Sequence, residues 1–140
     1  RNIIVDWISV LENSNFDYVF DIPETEYLMR IDASAYSRIL NNLLQNVLIH
    51  SKGSKIKFRV FEDDLQAKIA ITDNGKGISH DHLPHIFERM YQCDQSRSVG
   101  GNGLGLSIVK ELVAAHKGKI TVDSTPNRGT TFTLLFPRTL

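Results

Sequence analysis

The chain has 140 residues, 41% hydrophobic and 23% charged, which fits one globular domain able to bury a core without staples. Its 16 basic and 16 acidic residues cancel, leaving no electrostatic footing for nucleic acid or an acidic membrane. The single cysteine, Cys93, excludes an internal disulfide and points to a reducing compartment; no run approaches the roughly 20 apolar residues of a membrane span.

The chain opens at Arg1 in an already patterned region, without an initiator Met or a signal-peptide pattern, as expected of a fragment of a longer protein. Ile3 to Leu11 is predicted as a short helix with Ile4, Ile8 and Leu11 on one side. Phe16, Tyr18, Phe20 and Ile22 alternate with polar neighbours and predict a strand, ended by Pro23. Tyr27 to Ile31 reads as a second short strand. Asp32 or Ser34 can cap the next helix, which carries the apolar stripe Ile39, Leu40, Leu43, Leu44, Val47 and Leu48 to about His50 and stops at Gly53.

Two strands follow, Lys55 to Phe61 and Leu65 to Thr72, joined by an acidic turn and broken by Asp73-Asn74-Gly75-Lys76-Gly77. Pro84 to Tyr91 holds a helical turn, and Gln92 to Asn102 reads as a mobile polar loop. Gly103 to His116 is predicted helical, with Leu104, Ile108, Leu112 and Ala115 facing inward and Gly118 as terminator. Lys119 to Ser124 and Thr130 to Pro137 form a final hairpin around Pro126-Asn127-Arg128-Gly129. A doubly wound parallel fold would need a helix between every pair of strands, so the expected class is α+β.

Three polar islands interrupt these apolar elements. Asn42 and Asn46 lie one helical turn apart. A buried amide is costly unless satisfied, and its oxygen is a neutral ligand suited to Mg²⁺; helix-edge polarity is the plainer reading. Asp73 ends a strand in a sequence that also suits a tight turn, and its carboxylate can accept from an exocyclic amine, with Gly75 and Gly77 allowing a ring to approach the backbone. Gly100-Gly101-Asn102-Gly103-Leu104-Gly105-Leu106 opens a helix, where backbone amides can hold phosphate. It is neither a dinucleotide fingerprint, since Leu106 occupies the third glycine position, nor a P-loop, since no Gly-Lys-Ser/Thr follows.

In this order the islands resemble the catalytic ATP-binding domain of bacterial two-component sensor histidine kinases. Arg38-Ile39-Leu40-Asn41-Asn42-Leu43-Leu44-Gln45-Asn46 resembles the family's N box, and Asp73-Asn74-Gly75-Lys76-Gly77-Ile78 its first glycine box. Ile86-Phe87-Glu88-Arg89-Met90-Tyr91 is similar to its F box, and Gly101-Asn102-Gly103-Leu104-Gly105-Leu106 to its second glycine box. The tail from His116 through Ser124 to Gly129-Thr130-x-Phe132 also matches. The likeness spans nearly the whole chain, residues 1–140, taken as a single domain.

The resemblance implies a two-layer α/β sandwich of the Bergerat type, about five mostly antiparallel strands on about three helices. It implies Mg²⁺ held by Asn46 and the adenine amine accepted by Asp73. Gly75, Gly77, Ile78 and Thr130 would line the adenine pocket, with His50 flanking the nucleotide. Arg97 would reach the γ-phosphate from a lid spanning Gln92 to Asn102, and Gly101, Gly103, Leu104, Gly105 and Leu106 would close on the phosphates. Phe87 is expected to anchor the lid.

Relatives of this fold that hydrolyse ATP, the gyrase-, Hsp90- and MutL-like enzymes, carry a Glu as general base where this chain has Asn42, so the resemblance favours phosphoryl transfer to a protein over hydrolysis. Two family cations are missing, replaced by Ile49 and Gln92. The alternative is a weak or non-catalytic ATP-sensing module. His80-Asp81 only imitates an acceptor motif, and the acceptor histidine is expected in a separate dimerisation domain. A monomeric fragment, the cytoplasmic part of a membrane-anchored sensor that serves a response regulator, is the remaining expectation.

Overall fold

The computed structural model describes residues 2–22, 32–50, 52–63, 65–88 and 105–137. Among them are helices α1 (Asn2–Asn13), α2 (Ala33–His50) and α3 (Gly105–Ala115), and strands β1 (Asp17–Asp21), β2 (Lys55–Glu62), β3 (Gln66–Asp73), β4 (Lys119–Thr125) and β5 (Gly129–Pro137). A short 3₁₀ turn covers Leu83–His85. The predicted strand at Tyr27 to Ile31 lies outside the described residues.

The five strands form one sheet in the order β1-β2-β3-β5-β4. β1 and β2 run parallel, which requires a crossover, and α2 supplies it. The other three pairings are antiparallel, two of them hairpins. This is the α+β architecture expected from the sequence.

Strict alternation along β3 and β5 buries one face of the sheet and wets the other. The register lays the buried side chains in rows. One row runs Val60–Ile69–Leu134–Ile120, and the next Phe20–Phe58–Ile71–Phe132–Val122. Leu11, Ile39, Leu40, Leu43, Val47, Val109 and Val113 from the helices join the same apolar cluster. On the wet face the Arg59 guanidinium stacks over the half-buried Phe61 ring at 4.3 Å and pairs loosely with Asp21.

Helix ends obey the expected chemistry, except that at two of them a lysine takes the place of the expected glycine. Asp32 caps α2 through Ala35 N–H, 3.0 Å from its Oδ2. α1 closes with Asn15 left-handed (φ 59°), Phe16 N–H reaching back to the Leu11 carbonyl at 2.9 Å. α3 closes the same way, but the left-handed residue is Lys117 (φ 61°) and not Gly118. Lys52 (φ 55°) likewise precedes Gly53 after α2. Both glycines are needed for space instead. A Cβ on Gly118 would sit 2.7 Å from the Phe136 ring, and one on Gly53 2.6 Å from Asn74 Oδ1.

Two helix faces differ from the sequence reading. In α1, among the described side chains, Trp7 and Leu11 are fully buried and Ile8 is half exposed, while Ile4 lies outside the described side chains. Trp7 packs edge-on against Phe58 at 5.4 Å and donates Nε1–H to Asn41 Oδ1 at 3.0 Å. In α3 the core face is Ser107, Val109 and Val113, while Ile108 and Leu112 are half buried and Ala115 is exposed. The apolar arc of α3 is broad, running from Leu106 and Val113 through Val109 and Leu112 to Ile108 and Ala115, opposite the exposed Lys110 and Glu111, so periodicity alone does not choose which part of the arc meets the core.

Candidate nucleotide site

The last row of the buried face breaks the apolar pattern. It reads Tyr18–Ile56–Asp73–Thr130–Ser124, and its three polar members are each less than one-tenth exposed. Three buried polar groups in neighbouring strands, on the side that everywhere else is core, need partners. Asp73 accepts Gly75 N–H on Oδ1 at 2.8 Å. Burial raises its carboxyl pKa above the ordinary value, and the amides of Gly75 and Thr130 pull it only part of the way back.

The turn after β3 is fastened on both sides. Asn74 Oδ1 accepts the amides of Ser54 and Lys55, each at 2.9 Å, and ties the turn to the start of β2. Lys76 carbonyl accepts Asn127 N–H at 2.7 Å, and Ile78 N–H donates to Ser124 Oγ at 2.7 Å, tying it to the β4–β5 hairpin. Gly77 is left-handed (φ 72°), and a Cβ there would lie 2.2 Å from the Thr125 carbonyl oxygen. Gly129 (φ 129°) meets the Asp73 carbonyl oxygen, where a Cβ would stand 2.0 Å away. Both glycines are therefore demanded by conformation and by space.

An open depression of about 180 Å³ at this end is lined by Asp73, Ser124, Gly129 and Thr130, with Thr72 and Thr131 from the other face. It is smaller than the ~300–1,000 Å³ of a typical ligand pocket. It marks the polar end of the sheet and not a whole ligand site.

The other predicted residues fall as follows. Asn42 and Asn46 sit half exposed on α2, beside the buried Leu43 and Val47, with Ile49 continuing their flank. Asn41 is committed to Trp7. No hydrogen bond among the described residues joins Asn42 or Asn46 to Asp73. Ile78 and Leu106 are half buried and packed on the core cluster. Gly105 opens α3 with nothing among the described residues within 4 Å of a would-be Cβ. Phe87 stacks edge-on with Phe132 at 6.3 Å and carries Lys110 over its ring at 5.6 Å, and Ile86 is buried. His50 ends α2, though its side chain is outside the description, as are Arg97, Gly101, Gly103 and Leu104. Ser124 and Asn74 had no role in the sequence reading. The signal available for Ser124 was a polar residue at the inward position of an alternating strand.

Residues 31–140 match the family model described as histidine kinase-, DNA gyrase B- and HSP90-like ATPase. The chain belongs to this ATPase family. Among curated relatives it is 32% identical over 141 residues to the sensor histidine kinase WalK of Bacillus subtilis, matching 97% of this chain and 23% of that protein. It is 35% identical to the sensor histidine kinase YvrG of the same organism, across 99% of this chain and 24% of the relative. The sensor protein IrlS of Burkholderia pseudomallei is 43% identical over 112 residues, 78% of this chain and 24% of its own. The chain thus spans about a quarter of the length of these relatives.

Solved structures agree. The mycobacterial sensor histidine kinase MprB superposes with TM-score 0.82 at 27% identity, covering 98% of this chain and 94% of that one. The catalytic domain of the histidine kinase ThkA gives 0.83 at 25%, covering 100% and 92%. The ATPase domain is accordingly of the ATP-binding, histidine-kinase type, and the α/β sandwich is that of its structural neighbours. No helix among the described residues is long and apolar enough to cross a membrane.

Proposed function

We propose that this domain binds ATP with Mg²⁺ and donates the γ-phosphoryl group to a histidine carried by a separate dimerisation domain of the same sensor kinase. The observation that carries the reading is the Asp73–Thr130 pair, a buried carboxylate and hydroxyl ending an otherwise apolar sheet face. A carboxylate kept there against its desolvation cost is poised to accept from an adenine amine. Gly75, Gly77 and Ile78 form the turn that would border the base, and His50 would flank it from the end of α2.

Asn46 would hold Mg²⁺, since its amide is neutral, half exposed and without a partner among the described residues, and Mg²⁺ takes hard oxygen donors. The ion would neutralise phosphate charge. Asn42, one turn earlier, can orient a nucleophile but cannot take a proton from water. Gly105 and Leu106 start α3, whose first amides suit phosphate; Arg97, Gly101, Gly103 and Leu104 would complete that end. Catalysis would be positioning plus electrostatics at the γ-phosphate. The full-length protein would be a membrane-anchored sensor serving a response regulator, with this domain monomeric on the cytoplasmic side.

The test is transfer from labelled ATP to a separately supplied histidine-bearing helical hairpin, beside steady-state hydrolysis by the 140-residue chain alone. Label on the hairpin with little hydrolysis is the expected result. Multiple-turnover hydrolysis without transfer overturns it. A second reading, a weak ATP-sensing module, draws on Ile49 and Gln92 standing where family members carry cations. ATP binding with no transfer to any hairpin would favour it.

A further inference from the structure

Ser124 holds a buried hydroxyl that the nucleotide reading leaves without a task. It is 8% exposed and pairs with Thr130 across the β4–β5 ladder. Its Oγ accepts Ile78 N–H at 2.7 Å, donates to the Gly129 carbonyl at 3.1 Å and lies 2.8 Å from Thr130 Oγ1. A hydroxyl has one hydrogen and two lone pairs. An amide N–H only donates and a carbonyl oxygen only accepts, so two of the three bonds have fixed direction. With the hydrogen on Gly129 and one lone pair on Ile78, the second lone pair meets Thr130, and Thr130 must donate. The reverse assignment would turn a Ser124 lone pair onto the Gly129 oxygen at 3.1 Å.

The Thr130 hydrogen is therefore committed to Ser124, and its oxygen has only lone pairs for any other partner. Thr130 faces Asp73 directly across the β3–β5 ladder, where opposite Cβ atoms stand ~4.5–5.5 Å apart. An ionised carboxylate is also acceptor-only. Two acceptor groups thus stand side by side at the end of the sheet.

We infer that Ser124 is a positioning residue for base selection: by taking the Thr130 hydrogen, it makes Asp73 and Thr130 an all-acceptor edge that prefers a purine with an exocyclic amine to its 6-oxo counterpart. The inference rests on the adenine reading of Asp73. Without Ser124, the Thr130 hydroxyl is free to turn and donate to a 6-oxo oxygen, so discrimination falls even though Asp73 is untouched.

Calorimetric affinities for ATP and ITP test this in the 140-residue chain, in Ser124→Ala, in Thr130→Val and in the double variant. The wild type should prefer ATP. Ser124→Ala should shrink that preference about tenfold, about 1.4 kcal/mol, mainly by raising ITP affinity. Adding Ser124→Ala to Thr130→Val should change the ratio no further, because Ser124 acts through Thr130. Were Ser124→Ala not to fold, Ser124→Cys, close in volume and a poor hydrogen bonder, carries the same expectation. Equal loss of both affinities with the ratio intact is what a merely structural serine would give, and it overturns the inference alone. A wild type that binds neither nucleotide brings down the adenine reading and this inference with it.

Discussion

Asp73 is held in a place that is costly to a carboxylate, and the cost has a sign. Its pKa is raised from 3.8 because burial outweighs the amides of Gly75 and Thr130. The folded state then keeps a proton that the unfolded state has released, so the stability contributed by this residue falls as pH rises from the ordinary carboxylate value through the raised one. Thermal melts of wild type and Asp73→Asn from acid to neutrality should show the difference moving against the wild type across that window. The same substitution should weaken ATP binding about 10- to 150-fold, the 1.5–3 kcal/mol of a charge-assisted hydrogen bond, measured by calorimetry. Ile49 is half exposed on α2. Ile49→Lys should raise ATP affinity by returning a cation to the phosphate end, and no gain in a calorimetric titration would count against that placement.

Most elements were legible in the sequence because two periodicities dominate it. β3 and β5 alternate strictly in burial, though Asp73, which the sequence reads as breaking the strand, is the last inward residue of β3. The mistakes share a cause, a local signal with more than one solution. α3 carries a broad apolar arc opposite Lys110 and Glu111, so only packing against α2 and the sheet selects Val109 and Val113 from within it. Trp7 is not legible as core from its own stretch, since the partner of its indole N–H, Asn41, lies 34 residues away. Gly53 and Gly118 look like helix stops, yet Lys52 and Lys117 take the left-handed turn and the glycines make room for Asn74 and Phe136. Lys117→Gly should therefore stabilise the domain by about 0.5–1 kcal/mol, the relief of a left-handed side chain less the added freedom of the unfolded chain, read as a higher urea midpoint. Ser124 is readable only as an inward polar residue, since its partners come from two separate segments, the turn after β3 and the start of β5.

At the scale of the molecule, the candidate site is a seam between the turn after β3 and the hairpin of β4 and β5. Gly129→Ala tests how tight the seam is. Its Cβ would collide with the Asp73 carbonyl in a backbone conformation unsuited to alanine, so destabilisation of at least ~1–3 kcal/mol is expected in a urea titration, with ATP affinity falling alongside. The seam also orders events in time. Asp73 is laid down well before the strand that flanks it, and β3 meets β5 only after α3 and β4 have intervened. Such long-range pairing is slow, and a chain being synthesised reaches it last. A nascent chain halted just before Thr130 would own the three described helices and the paired strands β1, β2 and β3, yet lack one wall of its site. Nucleotide capture would then signal that synthesis has passed the hairpin, and bound ATP would act as a late clamp on a domain whose two halves were made at different times.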